Sequence, residues 1–63
     1  MSNLLFKVEQ WTSDDMHVDE VVAVSVNVLV ARAAWEAAVE LRPSSIMRLR
    51  HGSRVICEHL PDT

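Results

Sequence analysis

In the N-terminal stretch LLFKVEQW apolar and polar positions alternate, with Leu4, Phe6 and Val8 on one side and Leu5, Lys7, Glu9 and Trp11 on the other. That period of two predicts a strand over about residues 4–12. TSDDMH follows, and Ser13, Asp14 and Asp15 have short side chains that bond nearby backbone, so the chain is expected to reverse there. In VVAVSVNVLV, valine recurs at 22, 24, 26, 28 and 30. β-branched residues suit a pleated surface, which predicts a second strand over about 18–26. A competing reading is one long helix from about Asp14 to Leu41, with Thr12 and Asp15 as its capping box. The strand is preferred because the valine period is two rather than 3.6.

From Asn27, a side chain suited to an N-cap, the run VLVARAAWEAAVEL takes up helical spacing, which predicts a helix over about 27–42. Arg32, Glu36 and Glu40 form its wet stripe. Ala31, Ala34, Ala38 and Leu41, with Trp35 beside them, form the stripe expected to pack. Pro43 ends it. SIMRLR and RVICEHL then predict short strands over about 45–50 and 53–59, joined at HGS, where Gly52 supplies the positive φ of a tight turn. A three-residue loop sends Met47, Leu49, Val55 and Cys57 to one face and Ile46, Arg48, Arg54 and Ile56 to the other. A two-residue loop would mix arginine with valine or leucine, a poor fit to a buried side.

The expected fold is therefore α+β, a ββαββ chain in which one helix packs on one face of a four-stranded antiparallel sheet, all within a single domain over 1–63. One helix covers one face only. Leu5, Trp11, Ile46 and Ile56 are left on the other among charged neighbours, which makes them the candidate partner-binding residues.

Ala-Arg-Ala-Ala-Trp-Glu-Ala-Ala-Val-Glu-Leu-Arg-Pro, Ala31 to Pro43, followed by IMRLRHGSRVI, resembles a group of short uncharacterised bacterial proteins with a strand ending near a Trp, an Ala-rich helix, a Pro and an LR.G.RVI hairpin. The resemblance spans most of residues 4 to 58. It implies a bacterial cytoplasmic origin and brings no activity or site residue with it.

Composition narrows this further. Sixty-three residues, 49% of them hydrophobic and 24% charged, make one small folding unit. Such a chain buries only about 60% of the surface its unfolded form exposes, so the monomer is expected to be marginal. The lone Cys57 forms no intrachain disulfide, which points to a reducing cytoplasm. No signal-like leader is expected in MSNLLFKVEQW, and Asn27, Arg32 and Glu36 interrupt the most apolar segment, so no membrane partner is expected either.

Net charge is −3, with acids gathered at Asp14, Asp15, Asp19 and Glu20 and bases at Arg42, Arg48, Arg50 and Arg54. Arg48, Arg50 and Arg54 are the candidate anion or nucleic-acid contacts. Three or four phosphate contacts make weak, salt-sensitive binding, and the overall negative charge opposes it. Cys57 and His59 share a strand face and could join His17 or His51 on a metal, but a structural zinc site needs four ligands and only one cysteine exists. Cys57 reads instead as a small core residue. One glycine excludes a Gly-rich phosphate loop. No catalytic residue, metal or cofactor is therefore expected. The expected function is a small non-enzymatic module that self-associates, as a dimer, or binds another protein, with a weak nucleic-acid binder as the alternative.

Overall fold

The structure, a computed structural model, describes residues 5–61. Leu4, placed in the first predicted strand, and both extreme ends of the 1–63 domain lie outside the described residues. The elements run β1 Phe6–Trp11, β2 Val18–Ser25, α1 Val28–Leu41, β3 Ile46–His51 and β4 Arg54–His59. They form one antiparallel sheet in the order β2-β1-β3-β4 with the helix on one face. The small α+β ββαββ fold is the one the spacing predicts, with boundaries shifted by one or two residues.

Local chemistry accounts for the boundaries. Asn27 is extended and its side-chain oxygen accepts from the Leu29 and Val30 amides, capping α1. Its own amide is held by Ser25 Oγ at 3.0 Å. At the other end the Arg42 amide donates to the Ala38 carbonyl, and Pro43 prevents continuation. Thr12 and Asp15 cap no helix. They close the β1–β2 loop, where the Asp15 amide donates to the Thr12 carbonyl at 2.8 Å and the Thr12 amide to the His17 carbonyl at 2.9 Å. Asp15 sits at φ 62°, a left-handed conformation that aspartate tolerates.

Cross-strand register defines the two faces. Under the helix run the rows Ala23–Val8–Leu49–Cys57 and Glu20–Gln10–Met47–His59. Val8, Met47 and Leu49 are fully buried there and meet Ala31 and Ala38, whose short side chains bring the helix close. Phe6 closes one end by stacking on His51, with ring centroids 4.1 Å apart. Leu41, expected on the packed stripe, is instead 81% exposed. It is the last residue of α1 and lies about 60° round the helix from Ala38, the nearest buried position.

The hairpin departs from the expected parity. His51 pairs directly with Arg54, so the loop is Gly52-Ser53 alone, with the positive φ at Gly52 (64°) and none at Ser53. That is the pattern of a two-residue type II′ turn. It does set Arg50 opposite Val55, the pairing that the alternation argued against. A bulge between Leu49 and Arg50 absorbs the conflict by inserting Ile56 as an extra residue, so Cys57 still pairs with Leu49 beneath the helix. Val55 and Arg54 therefore exchange sides relative to expectation, and Ile56 packs against the core. β2 carries two similar shifts, opposite Val8/Glu9 and Gln10/Trp11, which add Val22 and Asp19 to its pairing with β1.

Candidate interaction surface

The face away from the helix is held by charge. Its central rows are Val21–Glu9–Arg48–Glu58 and Val24–Lys7–Arg50–Val55, bordered by Val18–Trp11–Ile46. Arg50 grips Glu9 with two parallel bonds, Nε to Oε1 at 2.6 Å and Nη2 to Oε2 at 2.9 Å. The Trp11 indole N–H donates to the same carboxylate at 3.2 Å. Arg48 takes Asp15 through Nη1 at 2.5 Å and Nη2 at 3.1 Å, and Glu58 through Nε at 2.8 Å. Both guanidinium carbons lie over the Trp11 ring, at 4.7 Å for Arg48 and 5.3 Å for Arg50. Planar forks stacked on an indole, with carboxylates at their edges, suit arginine and not lysine.

Burial makes this network stringent. Glu9 is 2% exposed and Arg48 9%, although no helix covers them. Their cover is Trp11, the neighbouring side chains and the β1–β2 loop, which brings Asp15 over the sheet. The bond with Asp15, reinforced by Glu58, holds Arg48 well above the usual arginine range, and the bond with Glu9 raises Arg50 above its ordinary value. Reciprocally, the Arg48 guanidinium holds the Asp15 carboxyl below its ordinary value, while the Thr12 hydroxyl lowers Asp14. Counting Arg48 and Arg50 against Glu9, Asp15 and Glu58, two cations face three anions, so these charges are met within the chain.

Alternation places Glu9 on this face but names no partner for it. The register with β3 supplies one, since Glu9 lies directly opposite Arg48 and diagonal to Arg50. Arg54 falls elsewhere, exposed at the hairpin turn in a row with Phe6 and His51. The three candidate arginines are thus two network members and one separate surface residue. Arg42, the fourth cation of the C-terminal half, bridges Gln10 and Glu20, each at 2.6 Å.

Nor do the four apolar candidates make one exposed patch. Leu5 is half-buried beside β1, Trp11 half-buried beneath the arginines, Ile46 buried at 8% exposure, and Ile56 half-buried against the core. Beside Trp11 and Ile46 a cleft of about 420 Å³ opens between the β1–β2 loop, Ser44, Ser45 and Pro61. Its polar lining is mostly hydroxyls and the Gln10 amide, with Asp19 the one charged group. His59 Nε2 lies 2.9 Å from the Pro43 carbonyl, and Cys57 is a half-buried free thiol. Among the described residues no three His, Cys, Asp or Glu side chains gather as metal ligands.

The exposed apolar surface lies where alternation alone does not place it. Among the described residues, nine of the twelve large apolar side chains that are exposed fall between Val18 and Leu41: Val18, Val21, Val22, Val24, Val26, Val28, Leu29, Val30 and Leu41. Val18, Val21 and Val24 belong to the open face of β2, at the margin of the charged network. On α1, exposed Val30, Ala33, Ala37 and Leu41 are spaced by three, four and four residues and form a second apolar stripe beside the packed one. No described helix is long and apolar enough to cross a membrane.

No protein-family model matches the chain, and comparison with curated proteins and with solved structures returns no match.

Proposed function

We propose that the protein is a small non-catalytic association module, working as a homo-oligomer or as a binder of another protein through β2 and the exposed stripe of α1. The observation that carries this reading is the concentration of nine exposed large apolar side chains between Val18 and Leu41. A monomer rarely leaves an apolar patch beyond a few hundred Å² in water. The buried apolar core is correspondingly thin: Val8, Ala31, Ala38, Ile46, Met47 and Leu49, two of them alanines. A 63-residue chain gains stability by covering more apolar surface on association. A bacterial cytoplasmic setting belongs to the same reading, supported by the single cysteine and the hairpin resemblance.

The nucleic-acid alternative has less to rest on. Arg48 and Arg50 already satisfy carboxylates of their own chain, which leaves Arg54 as the exposed member of the trio. Sedimentation equilibrium from micromolar to millimolar protein tests the association reading. A mass above that of one 7.1 kDa chain, with unfolding that moves to higher temperature as concentration rises, is expected. A monomer throughout, with concentration-independent unfolding, would overturn self-association.

A further inference from the structure

β2 is an edge of the sheet, so one side of its backbone is unpaired by any described strand. Sheets blunt such edges with outward charge, proline or short length. β2 is eight residues long, and its acids do not guard it in the usual way. Asp19 Oδ2 accepts from Gln10 Nε2 at 3.2 Å, and Glu20 Oε1 from Arg42 Nη1 at 2.6 Å. Both carboxylates are thereby engaged by side chains of their own chain, although both residues stay exposed. Beyond them no charged residue occurs from Val21 to Ala31. Both edges are bulged, but they differ in where charge falls: β4 carries Arg54 at one end and Glu58 and His59 at the other, whereas β2 has none from Val21 to Ser25.

We infer that the occupant of this edge is a second copy of the same chain, paired antiparallel through β2 about a two-fold axis perpendicular to the sheet. The inference rests on the association reading above and specifies its geometry. From Val21 to Ser25 the edge is uncharged and valine-rich and presents nothing that would select a charged partner, whereas a two-fold axis matches this segment with itself. Antiparallel pairing of a strand with its own copy satisfies the free backbone groups of both. It continues the open-face valines Val18, Val21 and Val24 of one protomer into those of the other. The two four-stranded sheets become one sheet of eight strands with both helices on the same face. Val21 and Val24, each about half exposed, are covered in this arrangement. The valines of β2 are 37–50% exposed and Val28, Leu29 and Val30 at the adjoining start of α1 38–75%, apolar surface on which an interface of the standard about 800 Å² per partner can draw.

The test uses the full chain, comparing wild type with V21K/V24K and with V55K on the other edge, by sedimentation equilibrium and far-ultraviolet circular dichroism. Wild type is expected to dimerise and V55K to remain dimeric. In V21K/V24K, like charges are brought together across the axis, and the dissociation constant should rise by roughly 100-fold or more with the folded spectrum retained. Amide hydrogen exchange on wild type supplies an independent reading, with β2 amides slowing as concentration rises while β4 amides do not. A wild-type monomer at millimolar concentration overturns both this geometry and self-association. A dimer that survives V21K/V24K, or one that V55K abolishes instead, overturns the β2 pairing alone. If V21K/V24K fails to fold, exchange decides, and β2 protection independent of concentration overturns the inference.

Discussion

The two halves of the sheet solve the same problem with different chemistry. Over β1, β3 and β4, the face left bare by the helix is closed with Arg48, Arg50, Trp11 and three carboxylates, and the edge strand β4 carries charge at both ends. On the β2 side the same face carries Val18, Val21 and Val24, and the edge acids are turned back onto Gln10 and Arg42. A network of guanidiniums stacked on an indole is complete within one chain. The row of valines on β2 meets no such network and stays partly in water. In so small a protein one side is thus finished by ion pairing, whereas the other leaves its valines exposed.

The largest effect should come from breaking the finished side. Glu9→Ala removes the acceptor of Arg50 and of the Trp11 indole in a nearly closed site. Loss of one partner of a buried pair costs about 3–5 kcal/mol, and Arg50 is 27% exposed and partly rehydrates, so about 2–3 kcal/mol is expected. Urea unfolding measures it, and Glu9→Gln, which keeps one acceptor oxygen, should lose clearly less. Unchanged stability in Glu9→Ala would mean that the network does not hold the sheet.

Gly52→Ala probes the turn that sets the arginine register. A left-handed φ of 64° costs a residue bearing a Cβ about 1 kcal/mol, so stability should fall by that amount with no effect on self-association. Smaller still are the stability changes from single lysines on the two edges. Val24→Lys and Val55→Lys, at nearly equal exposure, should each stay within about 0.5 kcal/mol in the monomer. In the proposed assembly they should part company, with Val24→Lys weakening it and Val55→Lys leaving it unchanged. Equal behaviour in the two would erase the contrast between the sides.

Asp15→Asn should lower stability at neutral pH and make no difference in strong acid. The Asp15 carboxyl is held below its ordinary value in the folded chain, so its contribution is fully present above the unfolded value near pH 4 and is lost as pH falls through the lower folded value. The variant should therefore show a flatter stability profile below about pH 4 than wild type, read by thermal unfolding in a pH series. An unchanged slope would mean that Asp15 is not linked to folding through Arg48.

Much of the fold is legible in the sequence because its signals are local. Alternation at Phe6, Val8 and Gln10, helical spacing after Asn27, the stop at Pro43 and the turn at Gly52 each depend on a few adjacent residues. The valine run forms a strand, as its period of two predicts, and not an N-terminal extension of the helix, although it ends at Ser25 and leaves Val28 and Val30 to the first turn of α1. Local signals fail where a residue's side depends on its partner strand. The bulge at Ile56 reverses Val55 and Arg54, and no feature of RVICEH by itself announces it. The arginines look like a surplus along the chain for the same reason, since Glu9 and Asp15 are 33 to 41 residues away from them.

What the amino-acid sequence determined by itself was the list of elements, their order and the chemistry of their ends, through backbone preferences that act over a turn or two of chain. Tertiary structure alone decided which carboxylate each arginine meets, that Ile46 is covered, and that the edge strand β2, not the centre of the open face, carries the exposed apolar surface. Those outcomes follow from register and strand order, set by the joint packing of the helix and all four strands, and no single segment encodes them.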